Sequence, residues 1–328
     1  MAETLTARPL LSVIATCRSM ERANDVFDLL DSLAAQRYRP LETIFVAEAS
    51  RELYDCVAAY VSGRELSGAR VLFNDGEPGL SAARNLGIEA ATGEVIAFLD
   101  DDTVAFPDWA EEIVHACRGE SVVGVTGATC PLWDDPFMAW LPPELYWLIS
   151  CTGWTGWDET VEVRNAWGHN MAFRREAFRL CGLFDNRHGF HKGPFPEDNE
   201  FSLRAKATTG KRIVFSPQAR VWHKVHRYRL SLGWVAERSF YIGRSRRLLQ
   251  RAYGESGQQK RPLEPELALL RRIFRRLLPR IIRTLPAHPA VASRQLLLTV
   301  ASLGFLSLGY LSGYFNRHSQ RGPAVSGR

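Results

Sequence analysis

The chain has 328 residues, of which 46% are hydrophobic and 23% charged, so it can form one large domain or a domain with an appendage, and general disorder is excluded. The net charge is +5, and much of the basic excess lies after residue 204. This distribution favours an anionic substrate or membrane surface over nucleic acid, for which no recognisable binding signature is present. The six cysteines include no CxxC pair, which argues against a zinc site or disulfide framework. Residues 1–9 show no signal peptide, so we expect a cytosolic catalytic part.

Short apolar strands alternate with amphipathic helices in the first part of the chain. The predicted strands are 10–16, 43–47, 70–73 and 95–99, and the predicted helices are 26–34, 53–61, 82–91 and 110–117. Ser81 is a candidate N-cap of the third helix. This alternation predicts a mostly parallel central α/β sheet flanked by helices, with right-handed crossovers.

Three consecutive carboxylates, Asp100, Asp101 and Asp102, follow the fourth predicted strand. Negative charge at the end of a buried strand requires a cation or several donors, and ligands of open α/β sheets bind beyond the carboxyl ends of the strands. Mg²⁺ and Mn²⁺ prefer such oxygen ligands and keep positions for phosphate oxygens. The alternative interpretation is a solvated, Asp-rich turn that leads into the next helix.

The second half is less regular. Six tryptophans lie between Trp133 and Trp167, and three prolines among them prevent one continuous helical stripe. These rings form either a core beneath an insertion or an apolar lip on which a sugar or a lipid tail docks. The further predicted elements are strands 122–126, 165–173 and 212–216, a short helix 174–180, a loop 185–195, and a helix that starts at Pro196.

Beyond residue 228 the chain becomes basic and helical. We expect a helix over 231–250, a linker over 254–265, and a basic amphipathic helix over 267–285 that Pro279 interrupts. Residues 295–315 carry no charge and are long enough to cross a bilayer, although Ser and Gly weaken insertion. We favour a membrane-bound tail, peripheral or single-span, on the cytoplasmic face. Gly309 and Gly313 have the spacing of a close helix–helix contact, so a soluble dimerisation hairpin is the alternative.

Four segments in this order resemble family 2 glycosyltransferases, enzymes of the GT-A fold. The segments are Val13–Thr16, Gly79–Ile88, Phe98–Thr103 and Pro196–Arg204. The resemblance extends from about Leu11 to about His226. It implies a GT-A domain over 1–228, with a nucleotide-sugar half at about 8–128 and an acceptor half at about 129–228. A helical C-terminal region over 229–328 would follow.

The resemblance also implies an inverting transfer from a nucleotide diphosphate sugar to an acceptor hydroxyl, assisted by Mg²⁺ or Mn²⁺. Asp100 and Asp102 match the DXD positions of the family, so that Asp102 and Asp100 would hold the metal and Asp100 would also contact the ribose or sugar. Asp101 is the variable middle position and is expected to face the donor. His223 lies where some members carry a third metal ligand. His226, His188 and His191 compete with it for that role.

Further donor contacts are implied at Thr16 and Glu48, which match positions that hold the nucleobase, and at Arg84 and Asn85 in the motif before the donor pocket. The family usually shows Val-Asp-Asp-Gly-Ser after the second strand, whereas this chain has Val46-Ala-Glu-Ala-Ser50. Glu48 keeps a carboxylate on a longer stem, and this leaves the choice among UDP-, GDP- and dTDP-sugars open.

Asp198 matches the general base of the family, which would deprotonate the acceptor hydroxyl. A positioned base contributes about 10²–10⁴-fold in rate. Glu197 is the alternative base, and a first-turn carboxylate without catalytic role is the structural alternative for Asp198.

The expected acceptor is a glycolipid, a polyprenyl-linked glycan or a nascent polysaccharide at the membrane, with a soluble acceptor as the nearest alternative. A sugar-1-phosphate nucleotidyltransferase would need a Gly-rich basic loop after the first strand, which residues 15–20 do not supply. A dinucleotide-dependent oxidoreductase would need GxGxxG. A non-catalytic membrane scaffold predicts no nucleotide binding. The sequence leaves a homo-oligomer open.

Overall fold

The computed structural model describes residues 5–187, 196–251 and 263–315, and within these ranges nine strands form one sheet. The strands are β1 Leu11–Cys17, β2 Leu41–Glu48, β3 Ala69–Asn74, β4 Val95–Asp100, β5 Thr103–Ala105, β6 Val122–Trp133, β7 Val161–Val163, β8 Asn170–Arg174 and β9 Arg212–Val225. The helices are α1 Ala23–Ala34, α2 Arg51–Gly63, α3 Leu80–Ala90, α4 Trp109–Cys117, α5 Arg175–Cys181, α6 Glu197–Thr209, α7 Leu232–Leu249, α8 Glu264–Arg272, α9 Leu278–Thr284 and α10 Pro289–Phe315.

The strand order is β3-β2-β1-β4-β8-β6-β9-β5, with β7 paired to β9. The first four strands of this order are parallel, which confirms the predicted parallel half. Residues of β1 alternate between two cores, as the period of two in a strand requires. Leu11, Val13 and Ala15 pack with α1, α2 and α4, whereas Ile14 packs with residues of α3, α5 and α6 on the other face.

The structure corrects three expectations about individual elements. The strand predicted over 165–173 begins only at Asn170 and runs antiparallel to β4. The strand predicted over 212–216 continues to Val225, because β6 pairs with it as far as Trp133 opposite Val225. Strand β5, which was not predicted, pairs with β9 on its other edge. Ser81 does not cap α3: Gly79 is the N-cap, with φ 151°, and Ser81 is buried inside the first turn.

The C-terminal helices pack against the tryptophan-rich segment and form a third core, to which Trp147, Leu269 and Ile273 belong. The basic helix starts at Glu264, inside the predicted linker. It continues through a π-helical stretch at Ile273–Leu277, so the irregularity precedes Pro279. Residues 252–262 of the predicted linker and 188–195 of the predicted loop lie outside the described residues.

Helix α10 is the one described helix that is long and apolar enough, by length and composition, to cross a membrane, and only 28% of its most apolar stretch is buried. It packs along α7 through small residues: a Cβ atom at Gly309 would overlap the carbonyl oxygen of Phe240, and one at Gly243 would overlap that of Leu306. The close helix–helix contact predicted at Gly309 and Gly313 is therefore formed within the chain, since Gly313 contacts Arg247 of α7.

Candidate active site and metal centre

Asp100, Asp102 and His223, called the metal group below, come together from distant parts of the chain. Asp100 ends β4, Asp102 follows in the turn before β5, and pairing of β5 with β9 sets Thr103 opposite His223. One ligand atom from each member lies within 4.8 Å of the others. Asp102 is buried, and its Oδ1 atom lies 3.2 Å from His223 Nε2. Two carboxylates and one imidazole with their ligand atoms this close together fit a divalent cation.

Two arginines that were not singled out from the sequence contact Asp102. Its Oδ2 atom accepts hydrogen bonds from Arg22 Nη1 at 2.9 Å and from Arg229 Nη2 at 2.6 Å. Burial alone would raise the pKa of Asp102, which is 2% exposed, but His223, Arg229 and Arg22 hold that pKa well below its usual range. Asp102 is therefore a permanent anion at neutral pH, as a metal ligand must be.

Asp101 has a different environment from its neighbours. Burial, followed by the charge of Asp102, raises the pKa of Asp101 to about 7, and Arg22 at 3.6 Å opposes this shift. Its predicted contact with the donor stays a prediction. The nucleobase candidates Thr16 and Glu48 lie at the same sheet edge as Asp100, since Thr16 pairs with Asp100 across β1 and β4 and Glu48 ends β2.

Arg84 connects the metal group to the segment that contains Asp198. Arg84 is a buried residue of α3. Its Nη1 atom donates to Glu197 Oε1 at 2.6 Å, and its Nη2 atom donates to Asp100 Oδ1 at 3.2 Å and to Gly168 O at 3.0 Å. One guanidinium therefore contacts both Asp100 of the metal group and Glu197, the neighbour of Asp198. Asn85, the other predicted donor residue of α3, exchanges two hydrogen bonds with the backbone of Phe184, at 2.8 and 3.0 Å.

Asp198 lies in the first turn of α6 and is held by backbone donors. Gly168 N donates to its Oδ2 atom at 2.8 Å, and Asn199 N donates to its Oδ1 atom at 2.7 Å. Burial and the charge of Glu197 raise the pKa of Asp198 to about 6, against the lowering effect of these donors and of Arg84. A carboxylate with this pKa is a proton acceptor near neutral pH. The alternative base, Glu197, is buried in its ion pair with Arg84.

A pocket with a volume of about 170 Å³ opens beside Asp198, between the tryptophan-rich segment and the C-terminal helices. We call it the junction pocket. Trp147, Trp154 and Trp167 line it, together with Arg238 and Arg246 of α7. Trp147 belongs to the third core, as the core interpretation of the tryptophans expects, and it also lines this pocket, so docking of a sugar or a lipid tail stays a prediction.

Of the histidines that compete with His223, His226 lies in the described part of the chain and does not belong to the metal group. His226 lies 3.4 Å from Asp25 and 3.5 Å from Asp134 instead, and His188 and His191 lie outside the described residues. His169, which was not singled out from the sequence, is stacked on Trp167 with its ring centroid 5.9 Å from that of His223. Burial and His223 lower the pKa of His169 well below its usual value, so it is neutral.

Comparison with known proteins identifies the family to which the chain belongs. The model of the family described as Glycosyl transferase family 2 matches residues 13–181, just over half of the chain. The chain is 31% identical over 310 residues to the glucosyl-dolichyl phosphate glucuronosyltransferase of Haloferax volcanii, and this match covers 92% of the chain and 96% of that protein. It is 28% identical over 247 residues to the succinoglycan biosynthesis protein ExoM of Rhizobium meliloti, with 71% and 74% covered.

Among solved structures, the mannosyltransferase PcManGT from Pyrobaculum calidifontis, in complex with GDP-Man and Mn²⁺, is similar with a TM-score of 0.61 at 18% identity. The match covers 95% of this chain and 89% of that one. This likeness confirms the predicted GT-A fold.

Proposed function

The chain belongs to glycosyl transferase family 2. From this premise we propose that the protein transfers a sugar, with inversion of its configuration, from a nucleotide diphosphate donor to a lipid-linked acceptor at the membrane. The observation that carries the proposal is the position of Arg84. This residue contacts Asp100 of the metal group and, through Glu197 and Gly168, the segment that positions Asp198. A donor side and an acceptor side that share one arginine suit a single displacement between them.

On the donor side, we assign Asp100, Asp102 and His223 as the residues that would hold Mg²⁺ or Mn²⁺. When bound, such an ion neutralises the charge that develops on a leaving diphosphate. Arg229 and Arg22 already contact Asp102. Their positive charges lie where they favour binding of an anionic donor. Thr16 and Glu48, at the same sheet edge, are assigned to the nucleobase.

On the acceptor side, we assign Asp198 as the general base. Its two backbone donors fix the carboxylate in one orientation, and its pKa of about 6 keeps it mostly ionised at neutral pH. It would take the proton from an acceptor hydroxyl as that oxygen attacks the donor sugar. The attack comes from the side opposite the leaving group, so the product has the inverted configuration.

A lipid-linked acceptor is supported by the match to the glucosyl-dolichyl phosphate glucuronosyltransferase, which spans 92% of this chain. It is also supported by an exposed apolar surface on α10, the outer face, formed by Leu297, Val300, Leu308 and Leu311. Since these side chains point away from α7, we propose that they contact the hydrocarbon region of a membrane on its cytoplasmic side.

The packing of α10 favours a peripheral arrangement over a membrane span. From Leu306 to Gly313, α10 contacts α7, which carries Glu237, Arg238, Arg244, Arg246 and Arg247. If α10 crossed the bilayer in this packing, α7 and its charges would enter the hydrocarbon as well, at a cost of about 2.5–3.5 kcal/mol for each central charge on translocon scales. With α10 lying in the interface plane, these charges remain on the protein side.

A donor screen tests the proposal. UDP-, GDP- and dTDP-sugars are compared for thermal stabilisation of the full chain with and without Mn²⁺, and the stabilising donor is then assayed with a polyprenyl-phosphoryl sugar in detergent. We expect one nucleotide to stabilise in a metal-dependent way and the product linkage to be inverted. Absence of nucleotide binding, or a retained configuration, would contradict the proposal.

A further inference from the structure

Three residues that line the junction pocket each have a buried polar atom with no hydrogen-bond partner among the described residues: Trp147 Nε1, Ser245 Oγ and His169 Nε2. An indole N–H only donates, and a hydroxyl readily donates. Because buried donors without partners are costly, the pocket is suited to a ligand rich in acceptor oxygens.

The charged groups of the pocket are mostly positive. Arg238, Arg244 and Arg246 line it, whereas Asp198 and Glu266 are its carboxylates. Glu266 is shared between Arg246 and Arg164, at 2.6 and 3.0 Å. Burial and then Arg229 lower the pKa of Arg238 to about 10, so Arg238 remains a cation at neutral pH that an anion would stabilise.

The remaining wall is apolar. Leu306 belongs to α10, Leu269 to α8 and Ile242 to α7, and all three line the pocket together with Trp154. Through Leu306 this wall belongs to the same helix as the outer face that we place against the membrane. One pocket therefore combines the proposed general base, cationic donors and an apolar wall.

On the basis of the proposed function, we infer that the junction pocket binds the phosphodiester of a lipid-phosphate-linked sugar. The phosphate oxygens accept hydrogen bonds from Arg246, Arg238, Ser245 and Trp147, the first carbons of the lipid lie on Leu269 and Leu306, and the sugar hydroxyl faces Asp198. The donor diphosphate has a separate site, because none of Asp100, Asp102 and His223 lines this pocket.

Binding to the full chain in detergent tests this assignment, with the fluorescence of the pocket tryptophans as the readout. Three probes are compared: farnesyl phosphate, farnesol and glucose 1-phosphate. We expect farnesyl phosphate to bind at least about 10-fold more tightly than farnesol, since charge-assisted hydrogen bonds are the strong ones, and also more tightly than glucose 1-phosphate. Tighter binding of glucose 1-phosphate would identify a soluble sugar phosphate as the ligand and overturn the inference.

Two variants of α7 separate a binding role from a structural one. Arg246→Gln should abolish the preference for farnesyl phosphate over farnesol while farnesol binding and metal-dependent donor binding persist. Arg247→Gln is the matched control, because Arg247 stacks on Tyr314 at 3.7 Å and does not line the pocket; it should keep the preference. Ser245→Ala, a smaller change, should reduce the preference partly.

The inference is overturned if farnesyl phosphate and farnesol bind equally, or if Arg246→Gln and Arg247→Gln behave alike. These outcomes are distinct from failure of the proposed function, because metal-dependent binding of a nucleotide sugar is measured independently in each variant.

Discussion

Arg84 and Glu197 form a buried ion pair at 2.6 Å that joins α3 to the first turn of α6. The ion pair involves the carboxylate of Glu197, whereas the carboxylate of the adjacent Asp198 accepts hydrogen bonds from the backbone N–H groups of Gly168 and Asn199. The charge of Glu197 is also one of the causes that raise the pKa of Asp198. In the proposed mechanism the neighbouring acids therefore have different roles, Glu197 in positioning and Asp198 in proton transfer.

The rate of transfer should depend on the protonation of Asp198. A base acts only when ionised, so activity is present above its pKa and is lost as the pH falls through about 6. Glu197→Gln removes a negative charge that raises this pKa, and the acid limb of the rate profile should move to lower pH by roughly one unit. Glu200→Gln is the matched control in the same helix, since Glu200 is paired with Arg204 at 2.7 Å. An acid limb that Glu197→Gln leaves in place would show that Asp198 is not the titrating base.

Asp102→Asn should remove the metal dependence of donor binding. The substitution takes away the one carboxylate that contacts His223, Arg22 and Arg229 together. The thermal shift that Mn²⁺ adds in the presence of the donor should then disappear. Asp55→Asn, on the exposed side of α2, serves as the control and should behave as the unchanged protein. A full Mn²⁺-dependent shift in Asp102→Asn would remove this residue from the metal group.

Gly309→Ala should destabilise the contact between α7 and α10. Its new methyl group would overlap the carbonyl oxygen of Phe240, and such overpacking costs about 1–3 kcal/mol. Gly304→Ala on the same helix meets no atom within 4 Å and should be neutral or slightly stabilising, because Ala is the better helix former. Thermal unfolding of both variants in detergent measures the difference, and equal stabilities would argue against this packing.

The double variant Val300→Ser and Leu308→Ser should weaken recovery of the protein with anionic liposomes in flotation. Both side chains belong to the outer face of α10 and are 61% and 56% exposed, so the folded protein loses few internal contacts. Leu180→Ser is the control, since Leu180 is 60% exposed on α5, far from α10 in the chain. Unchanged flotation of the double variant would exclude the outer face as the membrane contact.

The parallel half of the fold could be predicted because its strands are short apolar runs that alternate with helices along the chain. The position of Asp100 to Asp102 followed from this pattern, since the carboxyl ends of parallel strands share one edge. The fold of the antiparallel half depends on pairings between distant residues. Strand β5 has only three residues, and it is stabilised by pairing with the end of β9, which no local pattern indicates.

Contacts between residues that are distant in the chain also explain why several site residues could not be identified from the sequence. Arg22 and Arg229 contact Asp102 from positions 80 and 127 residues away, and isolated arginines in a basic chain give no signal. Arg246 and His169 gain significance only from the packing of α7 and the tryptophan-rich segment around one pocket. The basic excess of the C-terminal region was visible in the sequence, but the pocket to which it contributes was not.

The most direct test of the account is the transfer rate of Asp198→Asn, measured alongside Mn²⁺-dependent donor binding in the same preparation. The amide keeps the shape of the side chain but is no longer a base. We predict donor binding equal to that of the unchanged protein and a transfer rate lower by about 10²–10⁴-fold. Full transfer activity in Asp198→Asn would contradict the assignment of the base and, with it, the proposed single displacement at the donor sugar.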